Sequence, residues 1–224
     1  MKIYKLNKTV LKITNNAAQF LNGLTSNTLD RPKNAFLDIH GKIIATFDQL
    51  KLDEDSVLIV LEKSFLEAVY KHIERFVKLN KAVVREEPYR VYFDLTGEYP
   101  LQAGEFFIPQ RTGRLILTGE EIKNSVSDEE FTLFRLQNQI PLHGVDYREE
   151  MVLNVSADDY VSFTKGCFLG QEPVSKVHHR SKPTWRLVVA DAARPPANIK
   201  QPMTSSLVDP ATKRVLGFAF VPNE

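Results

Sequence analysis

The residues with the most chemistry in this sequence lie between Phe163 and Lys182, in FTKGCFLGQEPVSKVHHRSK. Four basic side chains (Lys165, Lys176, Arg180 and Lys182) face one acid, Glu172, for a local charge of +3 against +1 for the whole chain. His178 and His179 add titratable rings. The only cysteine, Cys167, sits inside this patch. Cations beside a cysteine favour its thiolate form, which is the nucleophile and the metal ligand. Gly166 and Gly170 flank it and permit positive φ or a close approach to the backbone. Gln171 offers a donor and an acceptor, and Glu172 an acceptor. The plain alternative is a cysteine acting as a small buried hydrophobe, which is common. On the residues alone the two readings stand level, and the His178-His179 pair without fixed geometry reads more readily as solvated than as metal-binding.

Composition bounds what this patch can serve. The 224 residues carry 29 Lys plus Arg against 28 Asp plus Glu. No basic field covers the chain, so nucleic-acid binding is disfavoured. Apolar runs fall far short of the roughly 20 residues of a membrane span, and Lys interrupts each apolar run of the opening MKIYKLNKTVLKITNN, so no targeting segment is read there. One cysteine excludes an intrachain disulfide and a four-cysteine metal site. These readings point to a reducing compartment, the cytoplasm, or an organellar matrix after processing.

The elements around the patch read as α+β. KIYKL, VLKIT, VLIVL, AVVREE, YRVYFDL and RLILTG have strand patterns. NAFLDIHGKIIATFDQLKL reads as two strands about a turn at His40-Gly41, and 53–56 as another turn. Asn15 or Asn16 is expected to cap a helix over AAQFLNGL, with Ala17, Phe20, Leu21 and Leu24 on one face. Ser64 with Glu67, and Ser127 with Glu130, match the capping box S-x-x-E at the heads of helices over 64–79 and FTLFRLQNQI. Residues 96–114 read as turns and 141–165 as irregular. WRLVVADA, SSLVD and RVLGFAFV are strands among Pro-rich turns. The chain divides at 1–182, an α+β unit, and 183–224, a small all-β lobe.

Lys165-Gly-Cys-Phe-Leu-Gly-Gln-Glu172 resembles the K-G-C-[FY]-x-G-Q-E signature of the YgfZ family, folate-binding proteins of iron–sulfur cluster assembly related to the aminomethyltransferase (T-protein) of the glycine cleavage system. FLNGLTSNTL at 20–29, AFLDIHGKIIATF at 35–47 and FRLQNQIPLHG at 134–144 resemble further segments of that family. The resemblance implies two intertwined α+β subdomains and a C-terminal barrel-like lobe around a folate hole. It implies tetrahydrofolate as cofactor, no stable metal, and iron–sulfur client or assembly proteins as partners. Cys167 is then a functional thiolate and transient cluster ligand with Lys165 as its cation. Asn154, Gly166, Gly170, Gln171, Glu172 and Arg180 are then folate-side residues.

The related aminomethyltransferases carry an Asp-Asp pair where this chain has Ala45 and Thr46, and a folate-contacting Glu where it has Asn154. Neither Ala45 nor Thr46 supplies a carboxylate. Asp48 lies on the face of Thr46, one step along the strand. Three functions compete: a tetrahydrofolate-binding accessory of iron–sulfur assembly or repair, a folate-dependent aminomethyl or one-carbon transferase, and a cysteine hydrolase pairing Cys167 with His178 or His179. The hydrolase lacks any visible orienting residue or oxyanion hole. An accessory role is the preferred reading, so enzyme status stays open.

Overall fold

The computed structural model describes residues 1–223. The elements are β1 (Ile3–Leu6), β2 (Lys8–Thr14), α1 (Ala17–Leu24), β3 (Lys33–Leu37), β4 (Ile43–Asp53), β5 (Ser56–Glu62), α2 (Leu66–Asn80), β6 (Val83–Glu87), β7 (Arg90–Asp94), β8 (Phe106–Pro109), β9 (Arg114–Thr118), α3 (Asp128–Gln137), α4 (Val152–Val155), α5 (Ala157–Tyr160), α6 (Gln171–Arg180), β10 (Trp185–Asp191), β11 (Thr204–Val208) and β12 (Val215–Pro222). They form three sheets, ordered β3-β4-β5-β2-β6, β1-β7-β9-β8 and β10-β12-β11, with antiparallel neighbours throughout. Among the described residues no helix is long and apolar enough to cross a membrane.

The five-stranded sheet is buried on both sides, which explains the unbroken apolar run in β5. Val57, Ile59 and Leu61 face α1 and α2 in one core. Leu58 and Val60 alternate to the other face and pack with Val91, Phe93, Leu115 and Leu117 of the four-stranded sheet and Phe131 of α3. A strand with two buried faces needs no polar alternation. The third core joins Ala35, Leu37 and Ile43 to Val152, Tyr160, Val174 and Phe220, so β3 and β4 also carry α4, α5, α6 and the last sheet.

Several local expectations change under tertiary contact. Asn16 stands at the N-cap of α1 but its side chain caps nothing there. Its amide donates to the Asn80 carbonyl instead. Asp55, from the β4–β5 turn, accepts from the Asn15 and Ala17 N–H groups and does the capping. The Ser64–Glu67 capping box does not form, because residues 63–65 make a 3-10 turn and Phe65 itself occupies the N-cap of α2. Phe65 is engaged with His143, its ring stacked at 3.7 Å. The second box, Ser127 with Glu130, forms in full. The turn-rich stretch 96–114 hides β8, and the irregular stretch after Pro141 holds the single turns α4 and α5.

The barrel-like C-terminal lobe is an open three-stranded sheet with β12 in the middle. Three strands are too few to close on themselves. The sheet is fastened to the rest by a buried ion pair. Asp146 accepts from Arg135 Nη1 at 2.7 Å and from the Leu142 N–H at 2.7 Å. Its other oxygen takes the hydroxyls of Thr204 and Ser205 at the start of β11, at 2.8 and 2.6 Å. Arg135 Nη2 reaches the same Ser205 hydroxyl at 2.9 Å.

Candidate functional site

The signature segment is strapped onto the end of α1. The Ser162 N–H donates to the Ser26 carbonyl and the Leu169 N–H to the Gly23 carbonyl, at 2.9 and 3.1 Å. Between these ties Lys165 inserts its ammonium, which donates to the carbonyls of Thr25 at 2.5 Å and Asn27 at 2.9 Å. Carbonyls at a helix C-terminus lack intrahelical partners, and a cation satisfies them. Burial lowers the Lys165 pKa to about 8. The amine of Lys165 is thus committed to the α1 end, with the Phe168 ring 5.4 Å away. The same loop holds an amide cluster: Asn27 donates to the Lys33 and Asp159 carbonyls, and Asn34 to Thr25 Oγ1, the Asn27 carbonyl and Gln49 Oε1. Two sequence motifs 140 residues apart therefore form one polar knot.

Two glycines seat α6 on the β3–β4 turn. Gly170 has φ +83°, and a Cβ there would lie 2.4 Å from the Asp38 carbonyl oxygen. Gly41 in that turn has φ +76°, and its Cβ would lie 2.8 Å from Val174 Cγ2. Neither backbone shape nor space admits a side chain at either position. At Gly166, by contrast, a Cβ would meet nothing within 4 Å. Cys167 beside it is exposed. The Gln171 N–H donates to the Phe168 carbonyl at 3.1 Å, and Glu172 lies exposed in the first turn of α6, where a carboxylate complements the helix dipole. Arg180, His178 and His179 lie exposed in the last turn. Phe163 stacks on His178 at 3.6 Å.

Asn154 is buried in α4 and donates to Glu150 Oε2 at 3.1 Å, while the other oxygen of Glu150 pairs with Lys200 at 2.5 Å. It does not line the central cavity described next.

That cavity lies where the five-stranded and four-stranded sheets meet α3 and the segment that follows it. It has a volume of about 30 Å³, and its walls include Lys8, Lys33, Thr46, Asp48, Glu62, Gln110, His143, Tyr147 and Tyr160 with Phe47, Phe93 and Phe131. A second cavity of about 60 Å³ lies against β10 and shares Lys33, Gln110, Ile140, Pro141 and Tyr160 with the first, so these five side chains are the partition. Lys8 sits between two carboxylates, 3.2 Å from Asp48 and 3.4 Å from Glu62. Gln110 Nε2 donates to the other oxygen of Asp48 at 2.9 Å. Thr46 and Tyr147 share a hydrogen bond of 2.7 Å, and the Tyr147 hydroxyl is 3.4 Å from that of Tyr160. Ala45 points the other way, into the core with α1 and α2. Thr46 and Asp48 share the cavity wall, as strand parity requires.

Charge in this cavity is internally balanced. Burial opposes ionisation of Lys8, but Asp48 and Glu62 outweigh it and hold the pKa above its ordinary value. Burial likewise opposes ionisation of Asp48, and Lys8, Lys33 and Gln110 outweigh it to hold that pKa below the ordinary 3.8. Burial raises the Tyr147 phenol well above its ordinary value. A depressed carboxylate stabilises the fold above its unfolded pKa and loses that contribution as pH falls through the folded value. Asp48→Asn is therefore expected to cost about 2 kcal/mol at pH 7. The gap to the wild type should narrow below about pH 4, read by urea unfolding at pH 7 and pH 3. An equal gap at both would contradict the ionic role.

The cavity residues Lys8, Glu62, Gln110, His143, Tyr147 and Tyr160 escape a reading of the sequence. The one available signal is a polar residue inside an apolar stretch, as at Asp48 in IIATFDQL or His143 in IPLHG. Among the described residues no group of three or more His, Cys, Asp or Glu side chains is placed to hold a metal.

The chain has the fold of a glycine cleavage aminomethyltransferase. It matches the crystal structure of the glycine cleavage system aminomethyltransferase T from Bartonella henselae with a TM-score of 0.75 and 13% identity, over 99% of this chain and 78% of that one. No family model matches the sequence.

Proposed function

We propose that the chain, as a YgfZ-like protein, binds a tetrahydrofolate in the central cavity and serves as an accessory of iron–sulfur cluster assembly or repair, with Cys167 as its working thiol. The observation that carries this over group transfer is the state of the cavity carboxylates. Asp48 is held by Lys8 and Gln110, Glu62 shares the same Lys8, and Thr46 is bonded to Tyr147. A carboxylate already paired with a buried cation is a poor partner for a reacting amine. Binding remains within reach of this lining, whereas the exposed sulfur of Cys167 is the nucleophile free to meet another molecule.

A pterin suits the lining in chemistry. Its flat ring has aromatic neighbours in Tyr147 and Tyr160, and the cavity wall also carries the imidazole of His143, whose nitrogens have no partner. In volume the cavity holds about one water, so a pterin enters only as the partition of Lys33, Gln110 and Tyr160 yields and the two cavities join. Lys33 and the nearby Arg111 then lie toward the second cavity, the side on which a glutamate tail would leave. Bound there, the folate supplies a reduced one-carbon carrier. A cluster is cargo in this proposal. One thiolate per chain does not hold a cluster, so thiols of a partner complete its ligation. Residues 1–182 carry the folate side and 183–224 close it.

A transferase is the second reading, favoured by the fold shared with an aminomethyltransferase. Calorimetric titration with tetrahydrofolate, followed by incubation with aminomethyl and methyl donors, separates the two. Saturable one-to-one binding without product is the expected result. Absence of binding would end the folate proposal, and product formation would replace the accessory role with the transferase.

A further inference from the structure

The flank of α2 beside β4 carries charge that nothing in the fold uses. Leu66, Val69, Ile73, Phe76 and Val77 turn into the core with the five-stranded sheet. Ala68, Lys71, Arg75 and Lys78 recur at helical spacing on another flank, and with Ile44 of β4 they wall an open cleft of about 740 Å³. Among the described residues its wall has one acid, Glu74, already paired with Lys78 at 2.7 Å. Neither Lys71 nor Arg75 belongs to an ion pair among the described residues. Arg75 lies over the Phe76 ring at 4.5 Å. His72, in the same wall, is kept below its ordinary pKa by burial first and then by Arg75, so it adds no charge at neutral pH. Apolar side chains stand at both ends. Leu79, one turn beyond Arg75, is 79% exposed, and Ile39 is 64% exposed. A smaller hollow of about 190 Å³ shares Ile44 and Ala68 with the cleft and carries it on to Lys42, Glu149 and Asp38, next to Ile39. Asp38 there accepts from the His40 and Lys42 N–H groups, and its carbonyl is the seat of Gly170. The path therefore runs from the α2 cations to the segment that carries Cys167. A solvated helix face gains nothing from an exposed leucine beside unpaired cations, whereas a contact surface uses both, apolar groups for area and charges for steering.

We propose that this cleft is the docking surface for a protein partner, taking an acidic segment whose carboxylates pair with Lys71 and Arg75 and whose apolar side chains cover Ile44 and Leu79. The inference rests on the accessory reading above for what the partner does, because that reading needs a second protein to complete a cluster's ligands beside Cys167. Charge sets the occupant. Three cations against one paired acid repel a basic segment and attract an acidic one. Nucleic acid suits the cleft less well, since a phosphate backbone rewards a long row of cations and this row is three long with an apolar side chain beyond each end. A partner seated here extends along the smaller hollow to the turn beneath Gly170.

The test reverses charge in the cleft with Lys71→Glu and Arg75→Glu together, beside a control pair, Lys2→Glu with Lys123→Glu, at exposed positions outside the cleft. Each protein is scored by complementation of a strain lacking it, through the activities of the iron–sulfur enzymes, and by anisotropy titration of labelled poly-L-glutamate at low salt. Melting and the rate of Cys167 alkylation by iodoacetamide accompany both. The cleft pair should lose most of the support and bind poly-L-glutamate roughly tenfold or more weakly than wild type, with wild-type melting and alkylation. The control pair should stay within about twofold of wild type. Lys71→Ser with Arg75→Ser, which removes charge without adding any, decides the matter should the reversed pair fold poorly, with binding roughly three- to tenfold weaker. A folded cleft pair with wild-type support overturns the docking surface. An equal loss in the control pair also overturns it, because net charge alone would then explain the result. Tighter binding of duplex DNA or of phosphatidylglycerol vesicles than of poly-L-glutamate, abolished by the cleft pair, overturns it in favour of another class of partner. Cys167→Ala in the same strain separates this inference from the accessory reading. Support lost in Cys167→Ala but kept in the cleft pair removes the docking surface alone. Support kept in Cys167→Ala removes the accessory reading, and the poly-L-glutamate titration then judges the cleft by itself.

Discussion

Cys167→Ala is expected to abolish support of iron–sulfur enzymes in cells while leaving the purified protein folded and its tetrahydrofolate affinity within about twofold of wild type. The side chain is exposed, so its truncation removes little packing, within about 0.5 kcal/mol. It is not part of the central cavity wall, so ligand binding has no route to it through contact. Its loop is held by other groups: Lys165 on the Thr25 and Asn27 carbonyls, and the N–H groups of Ser162 and Leu169 on α1 and its exit. The effect should therefore be chemical. Cys167→Ser, with an oxygen in place of sulfur, is expected to fail equally. The measurement is complementation of a strain lacking the protein, scored by the activities of its iron–sulfur enzymes, beside melting and calorimetry of each variant. Wild-type enzyme activities in the Ala variant would remove Cys167 from the proposal.

Asp146→Ala should be the most damaging single substitution in the framework, at about 3–5 kcal/mol. Its side chain is fully buried and accepts four hydrogen bonds, from Arg135, the Leu142 N–H, Thr204 and Ser205. Removing it strands the guanidinium of Arg135, whose Nε already has no partner, against the rings of Phe131 and Phe218. A buried cation without its counter-ion costs more than the pair contributed, because desolvation is then uncompensated. The loss should be uneven. Thr204 and Ser205 are the points at which β11 is tied down, and Ser205 is held at φ 53° there. Hydrogen exchange in β10 to β12 is accordingly expected to lose protection before the five-stranded sheet does. The double variant Arg135→Met with Asp146→Leu, which removes both charges, should regain at least half of the lost stability. A urea-unfolding loss below about 1 kcal/mol for Asp146→Ala would show that the pair carries no such weight. This clamp gives a physical reason for the arginine of FRLQNQIPLHG: it anchors the final sheet.

What could be seen along the chain was whatever is recorded in neighbouring residues. The α1 face of Ala17, Phe20, Leu21 and Leu24, the strand VLIVL and the complete box at Ser127 and Glu130 are local patterns, and each appears as an element. Lys165 to Glu172 is contiguous, so its glycines and its cysteine stood out as a unit. Patterns failed where a distant contact outweighed a local one. Ser64 lost its capping role as Phe65 took the N-cap and stacked on His143, and Asn16 yielded to Asp55. Only two apolar side chains, Val174 and Val177, pack α6 into its core, too few to mark a helix by period.

From sequence alone came the α+β character and a thiol set among cations and glycines, because each depends on residue type and near spacing. Tertiary structure alone decided that Lys165 serves the end of α1, that Asp48 is neutralised by Lys8, and that His143 stands unpartnered at a cavity. The cavity contacts follow from where the five-stranded and four-stranded sheets close on one another. Closure brings together Lys8, Asp48, Glu62, Gln110 and His143 from five separate segments, and burial then sets their charges. Neither distance nor dielectric is written in the order of the residues.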